Sequence, residues 1–324
     1  MGQKIKRIGV LTSGGDAPGM NAVTRAIVRK AVAEGVSVVG VRRGYSGLIS
    51  GDMVELNGRS VDGFITRGGT TLYTARCEDM LTDAGQEKAV ATCRHMGIEG
   101  LAVIGGDGSF RGALSLARKG LAVVGVPATI DNDIDCTDYS IGFDTACNTA
   151  IEAIDKLRDT MQSHERCSVV EIMGREAGHL ALHVGVAVGA TCILLPERKQ
   201  DYETAVFEPI RVGRLSGRNH HLIIVAEGYG SAQTVAERVE EATGMGTRVT
   251  ILGHIQRGGT PNALDRVIGT QMGCHAARLL IAGKKNRLVI KKDGIIKDCD
   301  MEEGLTQEKC LEQDLFEAAV TVAT

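Results

Sequence analysis

The chain repeats one pattern: a short continuous apolar run, a glycine turn, then apolar residues at helical spacing. Ile8–Leu11 runs into Thr12–Asp16, and Val23, Ala26, Ile27 and Ala31 follow on one helical face that Gly35 ends. Pro18 sits just ahead of that helix, where its missing N–H does no harm. Val36–Val41 reads as a second strand, before Arg42–Tyr45 and a turn-rich stretch to Gly58. Centrally, Leu101–Ile104 enters a glycine turn and a helix-like segment, and Ala122–Val126 leads to Thr129–Asp133. A strand–helix–strand unit of this kind delivers both loops to one edge of a parallel sheet, where such sheets bind ligands. Asp144 reads as the cap of a helix running through Ile151, Ile154, Leu157 and Met161.

From Ser168 the design returns: a strand to Ile172, a turn at Met173–Arg175, a small-residue helix, and a buried strand at Cys192–Leu195. A polar loop holding Pro196–Lys199 and a strand ending in Glu227 come next. Helix is expected from Ala263 to Ala282, a hairpin around Asp293-Gly294, and an amphipathic segment from Leu311 to Val322. The repetition implies two similar α/β halves, although the identity between them is too weak to establish a duplication. A length of 324 residues suggests two domains, with a boundary near Asp138–Ser140.

Composition narrows the class. Hydrophobic residues make up 43% of the chain and aromatics only 3%, so the core is built from Val, Ile, Leu and Ala, which suits buried parallel strands. A formal net charge of −3 and no tryptophan argue against a nucleic-acid partner. Nine scattered cysteines without a C-x-x-C pair resemble neither a disulfide framework nor a zinc site, and a reduced cytoplasmic location is the simplest reading. The start passes from lysines straight into a strand with no signal-peptide pattern. Leu180–Leu195, interrupted by His183, is too short to span a membrane, so no membrane partner is expected.

The candidate chemistry clusters at the turns. Gly105, Gly106 and Gly108 surround Asp107, and glycines there let backbone N–H groups approach a phosphate while the following helix adds its positive end. Thr129, Asp131 and Asp133 alternate, so an extended chain would face them one way. A phosphate cradle beside alternating carboxylates suits metal-dependent phosphoryl transfer. Gly14–Gly15 reads either as a second phosphate-contacting turn or as an ordinary strand-to-helix turn. Glu227 closes a buried strand, where a carboxylate without partners is costly, which favours a ligand-reading role. His254 fits either a satisfied core position or a ligand site, and Arg25 with Arg29 fits a solvated helix face.

Taken together, VIGGDGS and PATIDNDI resemble the core of the 6-phosphofructokinase family, with TSGGDAPGMN at Thr12–Asn21, RGGT at Arg67–Thr70, MGR at Met173–Arg175 and LGHIQRGG at Leu252–Gly259. GGDG alone is weak, because NAD kinases and lipid kinases carry it, but the ordered set is specific. The resemblance implies two Rossmann-like three-layer α/β/α domains with mainly parallel sheets. One, 1–138 plus about 252–304, would bind ATP, and the other, 139–251 plus about 305–324, would bind fructose 6-phosphate. It further implies transfer of the γ-phosphoryl group of ATP, with Mg2+, to the sugar's 1-hydroxyl.

In that scheme Asp131 is the base, Asp133 supports the metal or orients Asp131, and Thr129 hydrogen-bonds the transferring group. Asp107 holds magnesium directly or through water, and Arg175 and Arg76 stabilise charge on the transferred oxygens. Gly15, Gly106, Gly108 and Ser109 would line the nucleotide phosphates, with Cys77 near the adenine; Tyr45 either flanks the adenine or simply packs. Met173, Gly174, Glu227, Arg166, Arg248, His254 and Arg257 would bind the sugar phosphate. The family takes Arg166 and Arg248 from a neighbouring subunit, so a homo-oligomer, a tetramer, is implied.

Arg25, Arg29, Arg158 and Arg218 match the bacterial effector site. Thr191, Gly58 and Ser216 depart from it by replacing an acid, an arginine and a lysine, although Arg59 could stand in for the arginine. Weak or altered regulation is therefore expected. Pyrophosphate-using members typically carry aspartate at Gly108 and lysine at Ala128, which favours ATP here. A pyrophosphate-dependent enzyme and an NAD kinase-like enzyme are the alternatives.

Overall fold

The computed structural model describes residues 5–306 and 309–323. In chain order the elements are β1 (Arg7–Thr12), α1 (Met20–Ala33), β2 (Ser37–Val41), α2 (Gly44–Ser50), β3 (Met53–Leu56), α3 (Asp83–His95) and β4 (Gly100–Gly105). Next come α4 (Asp107–Arg118), β5 (Ala122–Pro127), α5 (Phe143–Ser163), β6 (Cys167–Ile172), α6 (His179–Ala187), β7 (Cys192–Leu194) and α7 (Glu208–Leu215). The chain closes with β8 (His221–Ala226), α8 (Ala232–Thr243), β9 (Thr247–Ile251), α9 (Ala263–Ile281), β10 (Arg287–Lys292), β11 (Ile295–Asp300) and α10 (Gln313–Val322).

The strands form two sheets among the described residues: a seven-stranded one ordered β11-β10-β5-β4-β1-β2-β3, and a four-stranded one ordered β7-β8-β6-β9. The chain correspondingly divides into two compact units, each discontinuous in sequence. The first comprises Met1–Thr129, Ile134–Thr145 and Arg257–Lys309; the second comprises Ile130–Asp133, Ala146–Gln256 and Cys310–Thr324. Both units are thus α/β with mainly parallel sheets, as expected, but they are unequal in size.

In the first unit the inner strands pair in parallel, and only β3 and β11 run antiparallel, at the two edges. β4 and β5 are buried along their whole length, which is why they read as continuous apolar runs. Leu11, Val39, Leu101, Val103 and Val123 pack toward Phe110 of α4 and Val90 of α3. The opposite face carries α9 against β4 and β5, with α1 packed on α9. Gly273 makes that helix pair possible, since a β-carbon there would stand 2.6 Å from the Val23 carbonyl.

In the second unit all four strands are parallel. Val206, Ile210, Val235 and Val239 cover one face over Val169, Leu194 and Val225, while α6 contacts β7 and β8 and α10 contacts α6.

Some local expectations need correction. The stretch after Val41 is not simply turns. It folds as α2 and the edge strand β3, which at seven and four residues are too short to carry much periodicity of their own. Asp144 does not precede its helix but lies in the first turn of α5, its carboxylate accepting from Asn262 Nδ2. Thr129–Asp133 is not extended: the chain turns at Ile130–Asp131, and Asn132 is left-handed (φ 50°), so alternation along the sequence does not set where these side chains point. The hairpin is as expected, with Asp293 and Gly294 both left-handed (φ 54° and 76°) between β10 and β11.

One buried acid holds the first unit's crossover segment. Asp265, wholly buried on α9, accepts hydrogen bonds from Tyr139 Oη (2.7 Å), Gly142 N (2.6 Å) and Thr145 N (2.9 Å). Burial pushes its carboxyl above the usual carboxylate range, although these donors pull the other way. Removing the acceptor strands several buried donors, each costing about 1–3 kcal/mol. Asp265→Ala should therefore lower the thermal unfolding midpoint by about 5 °C or more. An unchanged midpoint in a melting scan would show that this clip contributes nothing.

Candidate active site

In the first sheet β1 leads to β2 on one side while β4 leads to β5 on the other, so the order reverses between β1 and β4. Open α/β sheets bind ligands outside the carboxyl ends of their strands at such a point. Three loops meet there. Ser13 N donates to Ile104 O (2.9 Å) and Ala128 N to Gly105 O (2.9 Å), tying the ends of β1, β4 and β5 together. Gly105 has no room for a side chain, because a β-carbon would stand 2.5 Å from the Ser13 carbonyl. Gly106 precedes α4, whose first residue is Asp107, and the Thr129 side chain faces Gly106 across the loop. Around Gly108, by contrast, a β-carbon would meet nothing within 4 Å, so the helix start is open on that side.

Further sequence motifs converge on the same edge. Asn21 binds the RGGT turn, donating to Arg67 O (3.0 Å) and Gly69 O (3.0 Å) and accepting from Thr71 N (2.8 Å). Gly68 packs so closely on Gly259 that a β-carbon would lie 2.1 Å from its carbonyl. Arg257 lays its guanidinium over Gly15 and donates to Asp16 O (3.3 Å). Thr12 Oγ1 donates to Tyr73 O (2.8 Å) and Thr74 Oγ1 to Gly14 O (2.7 Å), which anchors the segment bearing Arg76 and Cys77 beside the β1 turn. Arg76 is exposed there.

Tyr45 sits in the core with its hydroxyl donating to Ser109 O, and burial pushes its pKa well up. It supports the start of α4, which favours the packing alternative over a ring face offered to adenine. Ser109 itself is buried.

Asp107 is the oxygen donor on this edge that suits a hard cation. Its carboxylate is partly exposed and receives Arg111 Nε at 2.7 Å. One carboxylate at a glycine-rich turn fits magnesium, which takes few protein ligands and keeps waters and substrate oxygens. No cluster of three or more His, Cys, Asp or Glu suited to a metal occurs among the described residues.

The second unit contributes a different chemistry. Asp131, its side chain only 4% exposed, faces Arg175 with Oδ2 and Nε 3.7 Å apart. Two non-glycine residues beside this pair are left-handed, Asn132 and Arg175 itself (φ 50° and 55°), a strained arrangement often found where a side chain must be aimed. Glu227 is exposed, not buried as the strand pattern implied. Its Oε2 accepts from Gly174 N (3.2 Å) and Arg175 N (3.0 Å), so it stays solvated while fixing the turn.

Gln256, wholly buried, receives Met173 N at Oε1 (3.3 Å) and gives Nε2 to Gly253 O (3.1 Å), joining the Met173–Arg175 turn to the turn that carries His254. Sequence reading passed over this glutamine; its place inside LGHIQRGG was the available signal. His254 is exposed, which removes the core alternative.

Arg166 and Arg248 lie elsewhere. Arg166 precedes β6, and Arg248 pairs with Ser168 at the beginning of β9, so both sit at the amino ends of strands whose carboxyl ends carry Met173–Arg175 and His254. A strand of this length spans roughly 17–20 Å. Within one chain these arginines are therefore far from the turn they were expected to serve. Arg257, for its part, belongs to the first unit.

Of the effector candidates, Arg29, Arg158 and Arg218 have local partners. Arg29 pairs with Asp62 and lines, with Arg59, an open cleft of about 690 Å³. Arg25 turns a buried Nε that has no hydrogen-bond partner. In the second unit Arg158 donates to Val188 O and Arg218 to Ala323 O (3.0 Å). Thr191 is buried against His221, whose pKa burial lowers to about 4.

Comparison with known proteins agrees with this geometry. A phosphofructokinase family profile matches residues 7–280. The chain is 50% identical over 98% of its length to the whole of an ATP-dependent 6-phosphofructokinase of Clostridium botulinum, and 51% identical over 98% to the whole of one from Brevibacillus brevis. Among solved structures, phosphofructokinase of Saccharomyces cerevisiae superposes with a TM-score of 0.87 at 35% identity, covering 93% of this chain and 45% of the yeast one. With profile, full-length relatives and fold in agreement, the chain belongs to the phosphofructokinase family.

Proposed function

We propose that this protein is an ATP-dependent 6-phosphofructokinase, transferring the γ-phosphoryl group of ATP to the 1-hydroxyl of fructose 6-phosphate. The observation that carries the reading is the buried Asp131 carboxylate held opposite Arg175. It combines a proton acceptor shielded from water with a cation for the transferring group, and the full-length ATP-dependent 6-phosphofructokinases that this chain resembles support it. The first unit binds the nucleotide: Gly15, Gly106, Gly108 and Ser109 cradle its phosphates, Arg76 neutralises them, and the segment near Cys77 receives the base. The second unit binds the sugar through Met173, Gly174, Glu227 and His254.

Asp131 takes the proton of the attacking hydroxyl, and Thr129 and Asp133 position the reacting groups. Arg175 neutralises charge developing on the transferred oxygens. Asp107 would hold magnesium, which would supply further charge neutralisation to the donor phosphates. In such transfers positioning and electrostatics do most of the work, which matches a site built from arginines and backbone turns. Changing Asp131→Asn keeps the shape but removes the base, so kcat should fall about a hundredfold or more while KM for the sugar moves little. Near-normal turnover would mean the proton leaves by another route.

The donor follows from Gly108. Its open side leaves room for a nucleotide's phosphates, and Ala128, buried, brings no extra cation. ATP with magnesium should support turnover and pyrophosphate little. Gly108→Asp should cut kcat/KM for ATP about tenfold or more through charge repulsion, with fructose 6-phosphate binding nearly unchanged. Initial rates with each donor, and with NAD as rival acceptor, decide among the ATP, pyrophosphate and NAD kinase-like readings. Faster turnover with pyrophosphate would overturn the donor assignment.

The protein works as a homo-oligomer, a tetramer, with Arg166 and Arg248 reaching a neighbour's sugar phosphate. Their place at the amino edge of the second sheet supports this, since they cannot serve their own chain's turn at the other edge. Arg25, Arg29, Arg158 and Arg218, with Arg59, form an altered effector site. Coexpressed Arg166→Ala and Asp131→Asn chains should recover activity severalfold above either variant alone, because mixed assemblies contain an intact site. No recovery in tagged, purified hybrids would place all these residues in one chain's own site.

A further inference from the structure

Two cysteines far apart in sequence share one small space in the first unit. Cys136 follows the Asp131–Asp133 turn by a few residues, and Cys299 lies in β11. Both are half-buried against the core. Their sulfurs each lie 3.0 Å from the one point where a β-carbon on Gly304 would stand. Gly304 does not adopt a left-handed backbone, so what its missing side chain provides is room for this pair. Cys167 and Cys192 form an instructive contrast. They are also neighbours, but burial hides them and pushes both thiols up to about 12, which leaves them inert.

We propose that Cys136 and Cys299 are a redox-active dithiol that a low-molecular-weight disulfide oxidises to an intramolecular disulfide. Cys299 is the attacking sulfur. Its thiol is pulled below the ordinary cysteine range, first by its contact with Cys136 and then by the Arg287 guanidinium, against the effect of burial. Cys136 is pushed the other way, by its contact with Cys299, by burial and by Asp135.

The Cys299 thiolate attacks one sulfur of the small disulfide, forming a mixed disulfide and releasing one thiolate. Cys136, its partner's charge now gone, loses its proton to solvent, and its thiolate attacks Cys299 Sγ. The second small thiolate leaves. The dithiol is oxidised by two electrons, the small disulfide is reduced to two thiols, and the two protein protons end on them. The product ties the segment leaving the Asp131–Asp133 turn to edge strand β11.

The test needs no kinase assay, so its failure would leave the proposed activity untouched. The full-length reduced protein is incubated with bis(2-hydroxyethyl) disulfide, alkylated, and mapped as non-reduced peptides. A linked Cys136–Cys299 peptide should accumulate, both residues should lose alkylation, and dithiothreitol should restore them, while Cys167 and Cys192 stay unreacted. Gly304→Ala, which wedges a methyl between the sulfurs, should slow the cross-link about tenfold and leave the exposed Cys310 as reactive as before. If that variant fails to fold, Cys136→Ser carries the same test, trapping the mixed disulfide on Cys299. The proposal is overturned if the oxidised wild-type protein keeps both thiols alkylatable, or carries separate mixed disulfides with no cross-link.

Discussion

The first unit depends on how closely its loops bring backbone to backbone beyond the carboxyl ends of β1, β4 and β5. The Ser13 carbonyl and the Gly259 carbonyl stand 2.5 Å and 2.1 Å from where β-carbons on Gly105 and Gly68 would be. No side chain can share those spaces. A turn emptied of side chains presents peptide N–H groups at short range, and the start of α4 adds the positive end of a helix. The same crowding carries the RGGT turn and the Arg257 turn onto this edge, through Asn21 and Gly15. The shape of this edge is thus set by the packed backbone, with the arginines added on top.

Two buried carboxylates show how partners separate structure from chemistry. Asp265 is surrounded by donors from Tyr139, Gly142 and Thr145 and holds a crossover in place. Asp131 instead faces a guanidinium that is itself largely exposed and that rides on a left-handed residue. The donors gathered around Asp265 make it a structural clip, whereas Asp131 stands against a largely exposed guanidinium. Glu227 takes a third role: solvated, it orients the turn that aims Arg175 by accepting its backbone N–H.

Much of this protein was legible in its sequence because parallel sheets impose simple patterns. Strands buried on both faces must be continuously apolar, as Leu101–Ile104 and Val123–Val126 are, and turns packed backbone on backbone must be glycine-rich, as Gly105–Gly108 is. Those local rules located β1, β4, β5, β6 and the β10–β11 hairpin, and the ordered motifs pointed to the phosphofructokinase family. Tertiary structure alone decided the rest, because contact between distant segments leaves no local period. Nothing near Glu227 in sequence announces that Gly174 and Arg175 will donate to it, or that Gln256 will join two turns. Alternation placed Thr129, Asp131 and Asp133 on one side only for an extended chain, and the left-handed Asn132 broke that premise. Strand direction, likewise invisible in a list of residues, set Arg166 and Arg248 at the edge of the sheet opposite the turn they were expected to serve.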